Sequence, residues 1–440
     1  MKKNFWNIVC MLMVTSLLFA ACSTPATPAP AAEAPSAPAQ PAGQAIDCSG
    51  VTQGDKLTVM YQWSGSEEEK ANTILKPFVD ACGVQIVSTS NRDAAVLDTM
   101  VKSTPPDVLF WPSTSPLTLY PDQLKDLSTM GAMKDNYADY WVKMGSMDGK
   151  LLALPVKADI KSIIWYSPAA FDKAGYKVPA TLDDLDTLVE KMVADGMTPW
   201  SMGFESEAAT GWSGSDFVQD LLLAQKGPDY VNDIISGKVA YNDAGVLDAY
   251  TLYSKWASGD KYTVGGGKGT VSTPFLDAIY KVFQPKSQAM MVKQSGFAGG
   301  EITKKFPNLK YGTDFDFFPF PGAQGMQGGA DFVMAFNDSP AAKALMAYLT
   351  SDVGAENWAK AGFDISPNKL AADKYTDVQL TKKAAALATA KGFTPDLGDT
   401  IPAPFGTEEW KAVIVAAQAG DIKAALDKVA DAQAEALNIK

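Results

Sequence analysis

Between residues 56 and 111 the chain alternates strand-like and helix-like segments, and this alternation constrains its fold more than any other feature. KLTVMYQW (56–63) has the period of a half-buried strand, and SEEE (66–69) then opens a helix with acid in its first turn. Ile74, Leu75, Phe78 and Val79 form the packed face of that helix, and Pro77 within it should kink or split it. VQIVST (84–89) is the next strand, 93–102 the next helix and PDVLFW (106–111) the third strand. Strands and helices alternating at this spacing mean a parallel sheet with helices on its faces. In such sheets ligands bind beyond the carboxyl ends of the strands. Trp63-Ser64, Ser90-Asn91-Arg92 and Trp111-Pro112-Ser113-Thr114 fall there.

A second informative stretch covers 151–196. LLALPV and SIIWY read as two strands at a crossing between packed bodies, with Lys157, Asp159 and Lys161 between them. Those charges would interrupt a buried strand pair, so they belong where two lobes meet and a cleft stays wet. Thr181 and Asp184 then form a capping box; Leu182, Leu185, Leu188, Val189, Met192 and Val193 share one helical face, and Gly196 ends the helix. Further on, 197–204 reads as a strand, 205–212 as a loop and 217–225 as a helix. GGGKGT (265–270) lacks the spacing of a phosphate loop and reads as a flexible loop.

Composition narrows the function. The net charge is −12, with acid spread throughout rather than clustered, which argues against nucleic acid as a partner and for a soluble monomer. Histidine is absent, which removes His-based triads and His metal sites, and Arg92 is the only arginine. No cysteine cluster suits a metal, and nothing calls for a cofactor.

Lys2, Lys3, an apolar run from Ile8 to Phe19 and then LFAAC (18–22) form an export signal. Small residues directly before Cys22 resemble the lipobox of bacterial lipoproteins, in which that cysteine carries the lipid. The alternative, a simple transmembrane anchor, needs a longer run. Residues 23–46, rich in Pro, Ala, Ser and Thr, are a tether with no face to bury. Cys48 and Cys82 remain for an oxidising compartment. Cys48 precedes the first strand and Cys82 closes the first helix, so in a parallel unit both lie at the face away from the ligand. A disulfide is expected there, two buried thiols being the alternative.

The second stretch also resembles the hinge crossing of the bacterial extracellular solute-binding proteins that feed ABC importers, in the branch of the maltose and alpha-glucoside binders. So, in order, do TPW (198–200), ESEAATGW (205–212), QKGPDY (225–230), AMMVKQSGFAGG (289–300) and YGTDFDFFPFPG (311–322). GGADFVMAFNDSPAAKALMAYLTS (328–351), GFDISPNK (362–369) and PDLGDTIPAPFGTEEWKAV (395–413) continue the match. The resemblance implies an α/β, two-lobed periplasmic-binding-protein type II fold, each lobe a mostly parallel sheet flanked by helices, joined by a hinge. Residues 47–157 plus 325–365 would form lobe one, and 158–324 plus 366–440 lobe two.

It also implies a receptor without turnover, lipid-anchored outside the cytoplasm, that closes on a small carbohydrate and presents it to the membrane permease subunits of the importer. Sugars need flat aromatic walls and side chains of fixed hydrogen-bonding capacity. Carried over by motif, Trp111, Trp212, Phe297 and Trp410 are the platforms, and Glu67, Arg92, Asp159, Lys161 and Asp331 the polar partners. Trp63 and Ser64 join them at the end of the first strand. Two other readings share these residue types: a polyamine or quaternary-ammonium receptor, whose cation would suit aromatics with acids, and a secreted glycosidase, which needs two carboxylates at a set separation.

Overall fold

The computed structural model describes residues 45–64, 66–91 and 93–439, so Cys22 and Arg92 lie outside the described residues. The expected βα alternation is present: β1 (Lys56–Tyr61), the helix Ser66–Cys82, β2 (Gln85–Ser90), the helix Ala94–Ser103 and β3 (Val108–Trp111). β1 lies between β2 and β3 and runs parallel to both. Asp93 caps the second helix by accepting from the Ala95 N–H. The first helix runs unbroken through Pro77, so the proline does not split it. Cys48 and Cys82 are bonded to each other, with Cα atoms 5.3 Å apart.

β4 (Ser146–Met147) and β5 (Lys150–Leu151) form a small hairpin before β6 (Leu154–Ile160) and β7 (Ile163–Tyr166). β8 (Met291–Lys293), β9 (Asp316–Pro319), β10 (Met326–Ala335) and β11 (Phe393–Pro395) complete the strands. The larger sheet runs β11-β10-β3-β1-β2, with β6 also on β10. Its pairs with β3 and β6 make β10 antiparallel to both, whereas β11 is parallel to it. β7 is antiparallel to β8 and β9. The sheets are therefore mixed rather than mostly parallel, because the chain returns to the first sheet through one long strand from far along the sequence. β11, from beyond residue 390, joins this sheet on β10.

Both faces of β7 are buried, which is why IIWY is apolar without alternation. Trp165 packs with one core, which also holds Leu57, Phe110, Leu154 and Val333. Ile164 packs with the other, among Val189, Phe217, Tyr253, Trp256 and Val413. The Thr181/Asp184 capping box is made in both directions, and Leu185, Leu188, Val189 and Met192 are the buried face of the helix Leu182–Ala194.

Three local expectations change. Residues 197–204 make only isolated bridges, because their N–H groups go to different segments: Trp200 to Tyr262, Ser201 to Met291 and Phe204 to Thr270. The helix expected from 217 begins at Trp212, so this residue opens a helix rather than sitting in a loop. Gly266–Ser272 is a helix, not a flexible loop. There a Cβ on Gly267 would collide with the Ala417 carbonyl and one on Gly266 with Asp260. Close packing against neighbouring elements overrides the poor helix propensity of glycine.

Candidate functional site

β6 and β10 pair as a ribbon within the larger sheet, with Lys157 opposite Asp331 and Asp159 opposite Gly329. The Lys161 N–H donates to the Gln327 carbonyl at 2.8 Å, which carries the pairing one step further. Alternation along a strand then places Lys157, Asp159 and Lys161 on one face, while Val156, Ala158 and Ile160 are buried on the other. The charged residues thus lie along and just past a strand, rather than in a break between two.

At one end of the row Asp331 is saturated. Its oxygens accept from Trp63 Nε1 at 2.8 Å, Gln62 Nε2 at 2.7 Å and Lys157 Nζ at 3.2 Å. Lys157 also lies 3.6 Å from both Glu67 and Asp364. Burial would lower the pKa of Lys157, but Asp331, Asp364 and Glu67 outweigh it and push it up to about 12.

At the other end Lys161 Nζ meets Asp396 at 2.8 Å, Asp216 at 3.3 Å and Asp399 at 3.6 Å. Gln327 Nε2 donates to Asp216 and Asp396, both at 2.9 Å. Behind them Lys293 pairs with Asp220 at 3.2 Å, and the Ser162 hydroxyl donates to Asp220. Burial raises the Asp216 carboxyl to about 7 despite Lys161 and Lys293. In Asp396 burial is outweighed by Lys161 and by hydrogen bonds from Asp216 and Lys161, so it stays below the usual carboxylate range.

The Asp159 side chain sits between these clusters and makes no hydrogen bond or ion pair among the described residues. Burial and the repulsion of Asp364 raise it to about 6 against the pull of Lys383, Lys157 and Lys161. Gly296 packs so closely that its Cβ would lie 2.5 Å from Asp159 Oδ1 and 3.0 Å from Lys383 Nζ. Phe297 follows directly and is 38% exposed. Its ring centroid is 6.1 Å from Phe275 and 6.5 Å from Trp212, and Trp212 lies edge-on to Phe275 at 5.3 Å. A Cβ on Gly211 would touch the Trp410 backbone and Cβ, so the starts of the helices Trp212–Gln225 and Phe405–Ala417 adjoin. Trp212, Phe275 and Trp410 are half-buried.

The structure thus brings Asp159, Lys161, Trp212, Phe297 and Trp410 into one neighbourhood, and Glu67 and Asp331 around Lys157. Trp63 is 1% exposed, packed against Phe110, Trp358 and Phe363, so it offers no open ring face and instead holds Asp331. Trp111, at the end of β3, is 6% exposed. Ser64 is exposed beside Trp63, whose carbonyl accepts from the Ser90 hydroxyl at 2.6 Å. Sequence reasoning missed Asp216, Gln327, Asp396 and Phe275 as site residues. Nothing local distinguishes Asp216 on the helix Trp212–Gln225.

With no histidine in the chain, titration of the described residues between pH 5.5 and 8 falls to carboxyls raised by burial. Asp216 at about 7 and Asp159 at about 6 are among these, and Asp220, Asp399 and Glu409 are raised too. A carboxyl with a raised native pKa keeps its proton where the unfolded chain has lost it. Stability therefore falls as pH rises from the ordinary Asp range through about 7. The apo protein should melt higher at pH 5.5 than at pH 8, and Asp216→Asn should shrink that difference. Equal melting temperatures at the two pH values would contradict this electrostatic picture.

Residues 73–389 match the family model described as bacterial extracellular solute-binding protein. The chain is 30% identical to the alpha-glucosides-binding periplasmic protein AglE of Rhizobium meliloti (strain 1021), over 80% of this chain and 81% of that one. It is 29% identical to the osmoprotective compounds-binding protein GgtB of Synechocystis sp., over 80% and 86%. Among solved structures it is similar to the bacterial solute receptor AcbH, described as having an exclusive preference for β-D-galactopyranose. That match has a TM-score of 0.73 at 20% identity and covers 87% of this chain and 99% of the other. The match over most of its length shows that the chain belongs to the bacterial extracellular solute-binding proteins.

Proposed function

We propose that this protein is the receptor of an ABC importer and captures a carbohydrate, an alpha-glucoside or other small oligosaccharide, by closing two lobes on it. The observation that carries this reading is the polar face of β6 with Asp159 at its centre, its side chain unpaired among the described residues, next to the ring cluster of Trp212, Phe275 and Phe297. A sugar presents apolar C–H faces and a rim of hydroxyls; rings cover the first, and a carboxylate accepts from the second. The neighbouring acids are already tied to Lys157 and Lys161, which fits capture rather than the paired free carboxylates of a glycosidase. The likeness to an alpha-glucoside-binding relative favours the same ligand class here.

The lobes meet at the crossing from β6 to β7, with β11 counted in the first. A ligand that binds the closed arrangement better shifts the population towards it, and the permease subunits read that state. The chain is exported and held outside the cytoplasm by a lipid on Cys22, with 23–46 as its tether. The intact mass of the mature protein tests this, and an unmodified N-terminus in the native host would refute it.

A thermal-shift screen of mono-, di- and trisaccharides, with glycine betaine and spermidine included, tests the ligand class. A ligand at ~100 times its Kd adds about 2.7 kcal/mol of stability. Stabilisation by the amines alone would replace the carbohydrate reading with the cationic one. Trp212→Ala should weaken binding of the stabilising sugar at least tenfold, about 1.4 kcal/mol. Calorimetric titration reads the affinity, and a melt of the apo variant should show only a modest loss for this half-buried ring. Unchanged affinity would remove Trp212 from the site.

A further inference from the structure

The β6/β10 ribbon has three rungs on its polar face, and they are not alike. Lys157 with Asp331 and Lys161 with Gln327 are filled on both strands, and each is engaged by further residues. The middle rung pairs Asp159 with Gly329, so β10 contributes no side chain there. Neither of the usual reasons for a strand glycine applies. Gly329 is not among the glycines with positive φ, so its backbone does not demand one. A Cβ built on it meets nothing within 4 Å, so packing does not demand one either. The adjacent Gly328 is the opposite case, since its Cβ would collide with the Asp159 carbonyl and approach the Phe393 ring to 2.9 Å. Gly329 is exposed, and the space over it adjoins Asp159, whose side chain makes no hydrogen bond or ion pair among the described residues.

We propose that Gly329 is a specificity-determining residue, whose missing side chain leaves the seat in which one sugar ring lies on the ribbon with its hydroxyls on Asp159. This rests on the carbohydrate reading. The seat is bounded by the filled rungs on either side and by the segment that runs from Gly296 into Phe297. A Cβ on Gly329 would enter the volume of the ring while meeting nothing within 4 Å in the apo protein. Loss of binding should therefore grow with side-chain size and leave apo stability alone.

The test uses Gly329→Ala and Gly329→Leu in the full mature chain, with maltose, trehalose and sucrose as the probes. Calorimetric titration should show a loss of a few-fold for alanine and at least about thirtyfold for leucine, some 2 kcal/mol. Apo melting temperatures should stay level or rise, because glycine is a poor strand residue. Leucine that binds the sugar as the parent does would overturn the role of Gly329 alone. Leucine that lowers the apo melting temperature by several degrees would show that the space is not free and overturn it equally. A parent chain that binds none of the three sugars would overturn the carbohydrate reading and this seat with it.

Discussion

Lys161→Met should cost the protein roughly 3 to 5 kcal/mol of stability, the usual penalty for removing one partner of a buried ion pair. Lys161 is the common counter-charge of Asp396, Asp216 and Asp399, at 2.8, 3.3 and 3.6 Å. Asp216 has a side chain only 2% exposed, and the next cation, Lys293, is 4.0 Å away and already occupied by Asp220. Asp216 is raised to about 7 and can take up a proton at modest cost. Asp396 is the residue held ionised by Lys161, so the penalty falls mainly on it. Adding Asp396→Asn to Lys161→Met should recover part of the loss by removing the stranded charge. Denaturant unfolding of the two variants measures this, and a single variant as stable as the parent would contradict the network.

The second large effect is expected at the disulfide. Cys48 and Cys82 are 34 residues apart in sequence, and closing a loop of that size in the unfolded chain is worth roughly 4 kcal/mol. Cys82 ends the helix that follows β1, whereas Trp63 and Glu67 lie at its start, so the bridge sits at the end away from the proposed site. Replacing both cysteines by serine should therefore lower stability by about that amount and leave sugar affinity within about twofold of the parent. Stability unchanged by the double substitution would refute the loop-closure estimate; a large loss of affinity would place the bridge in the wrong part of the molecule.

Local signals made much of this legible in the sequence. The βα alternation from 56 to 111, the Thr181/Asp184 box and the Cys48–Cys82 pairing each depend on residues close in the chain or on one supersecondary unit. The grouping of Lys157, Asp159 and Lys161 on one strand face was visible as charges set two apart beside apolar strands. What escaped is non-local. Lys157 meets Asp331 across 174 residues and Lys161 meets Asp396 across 235, through strand pairing and helix placement that no window of sequence contains. The helical glycines at 266 and 267 and the irregular path of 197–204 are likewise set by neighbours rather than by propensity. Trp63 stands just past a strand end, where a tryptophan can turn inward, and an Asp from β10 gives its indole N–H a partner.

Small-angle X-ray scattering of the mature chain, alone and with a saturating stabilising sugar, tests the closing-receptor reading most directly. A smaller radius of gyration with the sugar, and the same sugar recovered intact afterwards, is the predicted result. Tight binding with no change in radius, or recovery of cleaved sugar, would contradict it.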